Sequence, residues 1–202
     1  MGSVIVAAGI AWGELGAAER PRSWRERCPR ASSFDLPVGG GSATGYYNAQ
    51  PFGANHHLGD DWNGNGGGDT DLGDPVLSIA DGVVRAAGDH GGGWGKVVRV
   101  VHDVGAVGAP VYVESLYAHL DTIEVTTGEV VARGHRIGTI GDAGGRYPAH
   151  LHLELRDRVG LPLGRGYGEG VRGYLDPTAF IGARRPAPAS QPTWPRRYRR
   201  HP

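Results

Sequence analysis

The feature that most restricts how this chain can fold is a run of short β-like segments from residue 76 to residue 156. VLSIADGVVRAAG (76–88) reads as strand, Asp81-Gly82 turn, strand, and KVVRVVHD (96–103) follows a glycine cluster. VYVESLYAHL (111–120) alternates apolar and polar residues. TGEVVARGHRIGTIG (127–141) gives a short strand, a turn and another strand, and HLHLELR (150–156) closes the series. No amphipathic stretch of helical length separates these segments. The pattern therefore predicts an all-β fold, a compact antiparallel β domain. The 36 glycines in 202 residues show no collagen period and fit the same reading, because tight turns and close backbone approaches both favour glycine.

The length suits one domain with tails. A hydrophobic content of 39% with 21% charged residues is that of a soluble globular protein. No run of 18 apolar residues exists, so no membrane span is expected. Cys28 stands alone, which excludes an intrachain disulfide and a cysteine-based metal cluster. The 21 basic and 21 acidic residues balance only in total. The last twenty residues hold six arginines and no acid, leaving 15 basic against 21 acidic groups in the rest. Residues 1–33 read as an N-terminal segment. Its first 18 residues lack the basic start of a secretory signal and suggest a packing segment or a worn signal, with a charged, proline-broken linker behind. Residues 34–182 form the expected domain, opening on a turn-rich lead-in. Residues 183–202 are an Arg/Pro-rich tail expected to be disordered, either plainly solvated or in contact with anionic wall or lipid polymers. A nucleic-acid partner is not expected, and the chain reads as a monomer.

Chemistry concentrates in two places. In a strand, side chains at i, i+2 and i+4 share a face, so His150, His152 and Glu154 point one way and Leu151, Leu153 and Leu155 the other. The leucine face suits a core, and the opposite face presents two imidazoles. The second place is HHLGDDWNGNGGGDTD (56–71), too polar and glycine-rich to be expected in a core and read as tightly bent backbone. Imidazole nitrogen with carboxylate oxygen suits zinc, and three protein ligands with an open fourth position make a catalytic zinc site. One histidine of 56–57, one aspartate of 60–61 and one histidine of 150/152 would supply them. No His-Glu-x-x-His helix is present. Tyr117-Ala118-His119-Leu120, read as the end of a strand, adds His119 as an acid–base candidate.

In order, His-Leu-Gly-Asp-Asp (57–61), Ala-Asp-Gly-Val-Val (80–84), Tyr-Ala-His-Leu (117–120), Gly-Glu-Val-Val-Ala-Arg-Gly-His-Arg-Ile-Gly (128–138) and His-Leu-His-Leu-Glu (150–154) resemble the lysostaphin/LytM-type zinc endopeptidases of bacterial cell walls. The resemblance covers roughly residues 50–160. The family pattern His-x-Gly-x-Asp implies His57 and Asp61 as zinc ligands around Gly59, with His152 as the third. It leaves His56 and Asp60 without a metal role, and matches His119 and His150 to the family's catalytic histidines. It further implies one Zn2+ per chain in a groove, peptidoglycan peptides as substrate, and a place in the cell envelope, periplasmic or secreted. Glu154 is expected to orient a histidine or, more readily, to pair with an arginine on the rim.

The chain departs from the family pattern after Asp61, where WNGNGGGDTDLGD (62–74) is inserted. Asp61-x-Asn63-x-Asn65-Gly66 matches the opening of a calcium loop, but Leu72 occupies the position that needs a bidentate glutamate. A Ca2+ site using Asn63, Asn65, Asp69 or Asp71 is the lesser reading, and a loop bordering the substrate groove the better one. Two other functions compete with the enzyme: a LytM-type module that binds and activates other wall hydrolases, and a calcium-stabilised β domain without catalysis.

Overall fold

The computed structural model describes residues 23–186. The expectations for residues 1–18, and for the tail beyond residue 186, lie outside the described residues. The elements are α1 (Trp24–Arg27), β1 (Tyr46–Gln50), β2 (Asp60–Gly64), β3 (Pro75–Leu77), β4 (Gly82–Asp89), β5 (Lys96–Asp103), β6 (Tyr112–Ile123), β7 (Val130–Val131), β8 (Arg136–Ile140), β9 (Leu151–Arg156), β10 (Tyr174–Leu175) and α2 (Pro177–Gly182). All pairings between these strands are antiparallel. The main path of the sheet runs β1-β2-β9-β6-β5-β4-β7, with β10 on β9 and β8 bridging β6 to β3.

Leu151, Leu153 and Leu155 of β9 enter the main core with Trp62, Val84, Val98, Val100, Tyr117, Ile137 and Ile140. The other face of β9 is also covered, so every residue of the strand is buried. Two arginine–glutamate pairs lie on that face. Arg156 pairs with Glu154 (2.5 Å) and Arg99 with Glu114. Both arginines also donate to the Leu161 carbonyl, at 3.1 Å from Arg156 and 2.7 Å from Arg99, and Arg156 reaches Leu163 O as well. The loop 157–168 is thereby tied down as a roof. Glu154 thus has an arginine partner, but Arg156 is fully buried rather than on a rim.

Three local expectations change. The first concerns HHLGDDW, which is not a solvent-exposed bend: His57, Leu58, Asp60, Asp61 and Trp62 are all buried. β2 lies between β1 and β9, and burial of Asp60 and Asp61 is tolerated because their carboxylates are hydrogen-bonded. The second concerns Gly82, which opens β4 rather than forming the turn with Asp81; a Cβ there would stand 2.5 Å from Val101 O. Finally, His119 is not at a strand end but in the middle of β6, where pairing passes from β9 (Ala118↔His152) to β8 (Leu120↔Ile140).

The polar lead-in is attached to the domain. Ala31 N donates to Asp103 O (2.7 Å), Phe34 is buried, and Arg27 donates to Gly128 O. The start of the basic tail is docked too, with Arg184 stacked on Phe180 at 3.7 Å.

Candidate metal centre and cleft

Gly53, Asn55 and His56 all take left-handed φ values (83°, 51° and 64°). This reversal leaves His56 exposed and turns His57 inward. His57 Nδ1 donates to Gln50 O (3.0 Å), which fixes the tautomer and frees the Nε2 lone pair. Two residues on, Gly59 has no room for a side chain, because a Cβ would sit 2.4 Å from Leu153 O and 3.0 Å from His152 Cε1. That close approach lets β2 register on β9 with Asp61 opposite His152. Asp60 faces away from the cluster and accepts from Phe52 N (2.9 Å), Thr178 N (3.0 Å) and Thr178 Oγ1 (2.7 Å), so it pins the start of α2.

The three atoms that meet are His57 Nε2, Asp61 Oδ1 and His152 Nδ1. His152 Nδ1 lies 3.0 Å from His57 Nε2 and 2.8 Å from Asp61 Oδ1, and the His57–Asp61 separation is 3.4 Å. Ligands about 2.0–2.1 Å from a tetrahedral zinc stand roughly 3.3 Å apart, so this triangle has the size and the N/N/O chemistry of a zinc site. Among the described residues it is the one group of three or more His, Cys, Asp or Glu side chains arranged this way.

The electrostatics agree. Burial alone would lower the pKa of His152, but hydrogen bonds to Asp61 and Glu154, with their charges, outweigh it and raise the value to about 9. Burial likewise disfavours the Asp61 carboxylate, yet hydrogen bonds to His152 and His57 hold it well below the usual carboxylate range. The centre therefore stabilises a positive charge, as a cation site must. Glu154 accepts from His152 Nε2 (3.2 Å) on one oxygen and from Arg156 on the other, leaving His152 Nδ1 as the donor atom toward the cluster.

His119 and His150 flank this triangle. Their rings are 4.7 Å apart, and His119 lies 5.6 Å from the His152 ring. His119 has φ +61°, a left-handed value, at the irregular point where β6 changes partner. Such a conformation costs about 1–3 kcal/mol and persists only when the surroundings enforce it. Its N–H donates to Trp94 O (3.0 Å), and its Nδ1 is buried without a partner. Burial, followed by the nearby His152 and His150, pushes its pKa down to about 3, so the ring is neutral near pH 7. His150 Nδ1 donates to Pro148 O (2.9 Å), so in the neutral ring Nε2 is bare, 3.9 Å from Asp61 Oδ1.

All five residues line one cleft of about 490 Å³, with Trp94, Tyr147, Arg165 and Tyr167 among its other walls. Tyr167 stands 5.1 Å from the His57 ring and Tyr147 5.2 Å from the His119 ring. These wall residues sit in glycine-rich loops, and no pattern in a single sequence marks them. The insertion 62–74 contributes nothing to the cleft lining. Instead it braces the backbone beside His150: Asp69 accepts from Ala149 N (2.8 Å), and Asn63 donates to Ala149 O (3.4 Å). Asp71 is buried and accepts from Gly64 N (2.9 Å), while Asn65 is exposed. Asp69 and Asp71 thus each bind a backbone amide through one carboxylate oxygen, and Asp71 Oδ1 is buried without a partner.

Comparison with known proteins agrees with this fold. Over 84 residues the chain is 39% identical to the cell division protein DipM of Caulobacter vibrioides, a match covering 42% of this chain and 13% of DipM. It is 33% identical over 84 residues to the lipoprotein NlpD of Yersinia enterocolitica, covering 42% of this chain and 78% of that one. Among solved structures, a Pseudomonas aeruginosa protein assigned to the M23 peptidases superposes with TM-score 0.52 and 28% identity, covering 75% of this chain and 51% of that one. Lysostaphin of Staphylococcus simulans superposes with TM-score 0.51 and 22% identity, covering 81% of this chain and 61% of that one, and supports the fold alone. The family model described as Peptidase family M23 matches residues 63–163, half of the chain, including His119, His150 and His152 and starting just after Asp61. The chain belongs to peptidase family M23.

Proposed function

We propose that this chain is a zinc-dependent endopeptidase that hydrolyses peptide bonds in the cross-links or stem peptides of bacterial peptidoglycan. It would act as a monomer in the cell envelope, periplasmic or secreted. The observation that carries the reading is the meeting of His57 Nε2, Asp61 Oδ1 and His152 Nδ1 in a cleft that two further histidines also line. His57, Asp61 and His152 would hold the zinc, with Gln50 O and Glu154 orienting the two imidazoles. Zinc held there supplies a Lewis acid for the scissile carbonyl and lowers the pKa of water toward about 7.

The chain's own residues supply the rest. His150 takes the proton of the attacking water at its bare Nε2 and delivers it to the leaving amine. His119 stays neutral. A buried, unpaired N–H is rarer than a buried, unpaired acceptor, which favours the proton on Nε2 rather than on its unpartnered Nδ1. That Nε2–H then hydrogen-bonds the oxyanion as it forms. Trp94, Tyr147 and Tyr167 hold the peptide and exclude water.

A second reading, a module that binds and activates other wall hydrolases, draws support from the sequence similarity to a cell division protein and a lipoprotein. Metal analysis of the purified chain bears on the choice. We expect one zinc per chain, retained in His56→Ala and lost in His57→Ala. A chain without stoichiometric zinc would overturn the enzyme reading.

A further inference from the structure

Among the described residues, Arg165 is the one lysine or arginine lining the cleft, and its surroundings differ from those of the arginines under the neighbouring loop 157–168. Arg99 and Arg156 are buried against carboxylates. Arg165 is exposed and has no hydrogen-bond or ion-pair partner among the described residues. Its backbone, however, is fixed on both sides. Gly164 O accepts from the Trp94 indole N–H (3.2 Å), and Gly166 O accepts from Leu58 N (2.9 Å). Both glycines adopt left-handed φ values, 69° and 75°. A Cβ at Gly166 would lie 3.8 Å from His152 Cε1, so this backbone crosses directly over a candidate zinc ligand. The backbone that carries this cation is therefore anchored beside the candidate ligands.

The cleft offers this cation no internal counter-charge. Among the described residues, Asp61 is the only acidic one in its lining, and His57 and His152 already engage that carboxylate. A guanidinium at such a position takes a carboxylate through two parallel charge-assisted N–H donors, a stronger contact than its hydrogen bond to an uncharged backbone carbonyl. We propose that Arg165 determines specificity in this cleft, and that the peptide it selects carries a free carboxylate close to the bond that is cut. This rests on the hydrolase reading of the same cleft and narrows its substrate class.

The test compares soluble muropeptides with the same material after its carboxylates have been converted to carboxamides, each offered to the zinc-loaded full chain. Where cleavage occurs, the ratio of kcat/KM is read. Where neither is cleaved, the same ratio is read as Kd by calorimetry, so a failure of the hydrolase reading leaves this test intact. The native form should be favoured by about tenfold or more, the range of a charge-assisted hydrogen bond at a partly exposed site. In Arg165→Gln the preference should collapse toward unity, and Arg165→Lys should restore part of it. Zinc content should be the same in all three proteins. Equal treatment of the two forms by the unsubstituted chain, absence of binding to either, or a preference that survives in Arg165→Gln would overturn the proposal.

Discussion

The two oxygens of Glu154 have different partners: one holds the His152 ring and the other the Arg156 guanidinium, all three side chains being buried. A neutral amide at this position could still accept from His152 but would leave Arg156 without its counter-charge and weaken the donor strength of the imidazole. Loss of such an orienting partner typically lowers metal affinity by about 10–100-fold. We expect that loss in Glu154→Gln, read by competition against a chromophoric chelator, with the β-sheet circular dichroism retained. Unchanged zinc affinity would show that Glu154 serves the arginine alone. Gly59 makes the complementary point, since its role comes from what it lacks: with Leu153 O at 2.4 Å from a would-be Cβ, β2 reaches β9 only if position 59 is glycine.

At the scale of elements, β5 and β6 carry a polar chain through the core. His102 Nδ1 donates to Asp81 O (2.9 Å), its Nε2 contacts Ser115 Oγ (2.8 Å), and Ser115 leads to the Tyr117 hydroxyl, which accepts from Ile79 N (2.9 Å). Burial pushes the pKa of His102 down to about 4 from an ordinary value of 6.5. The unfolded chain therefore takes up a proton at higher pH than the folded one. The associated stability is complete above about pH 6.5 and is lost as pH falls toward 4. A shift of that size corresponds to roughly 3 kcal/mol. Urea midpoints should thus fall more between pH 7 and pH 4.5 in the unsubstituted chain than in His102→Gln, and equal falls would contradict this assignment. The strands read from the sequence, β3 to β9, each place an apolar residue in the main core. β2 escaped because two of its three buried side chains are aspartates with specific partners, and a lone buried Trp62 beside them leaves no hydrophobic period to read. The mid-strand position of His119 escaped for a related reason: the irregularity arises from β6 changing neighbours, a property of pairing rather than of local sequence.

At the scale of the whole molecule, β9 is the organising strand. Its pairing with β2 sets His152 opposite Asp61, and its pairing with β6 sets His152 opposite Ala118, next to His119. Residues about 90 positions apart converge because one strand has both neighbours. The motifs that bear the candidate cluster could be read in the sequence because each is short, but spacing left His56 or His57 and Asp60 or Asp61 open, and the family resemblance made the choice. The cleft walls could not be read, because Trp94, Tyr147, Arg165 and Tyr167 come from separate loops whose positions depend on the finished sheet. The insertion 62–74 shows the same limit, as it braces Ala149 rather than bordering the groove. The proposed function is that this assembly cuts peptide bonds with zinc, and mass spectrometry of purified peptidoglycan incubated with the zinc-loaded chain tests it most directly. Soluble fragments with new peptide termini are expected, absent after chelation and restored by added zinc. Peptidoglycan left intact by the zinc-loaded chain, or fragments released equally under chelation, would contradict it.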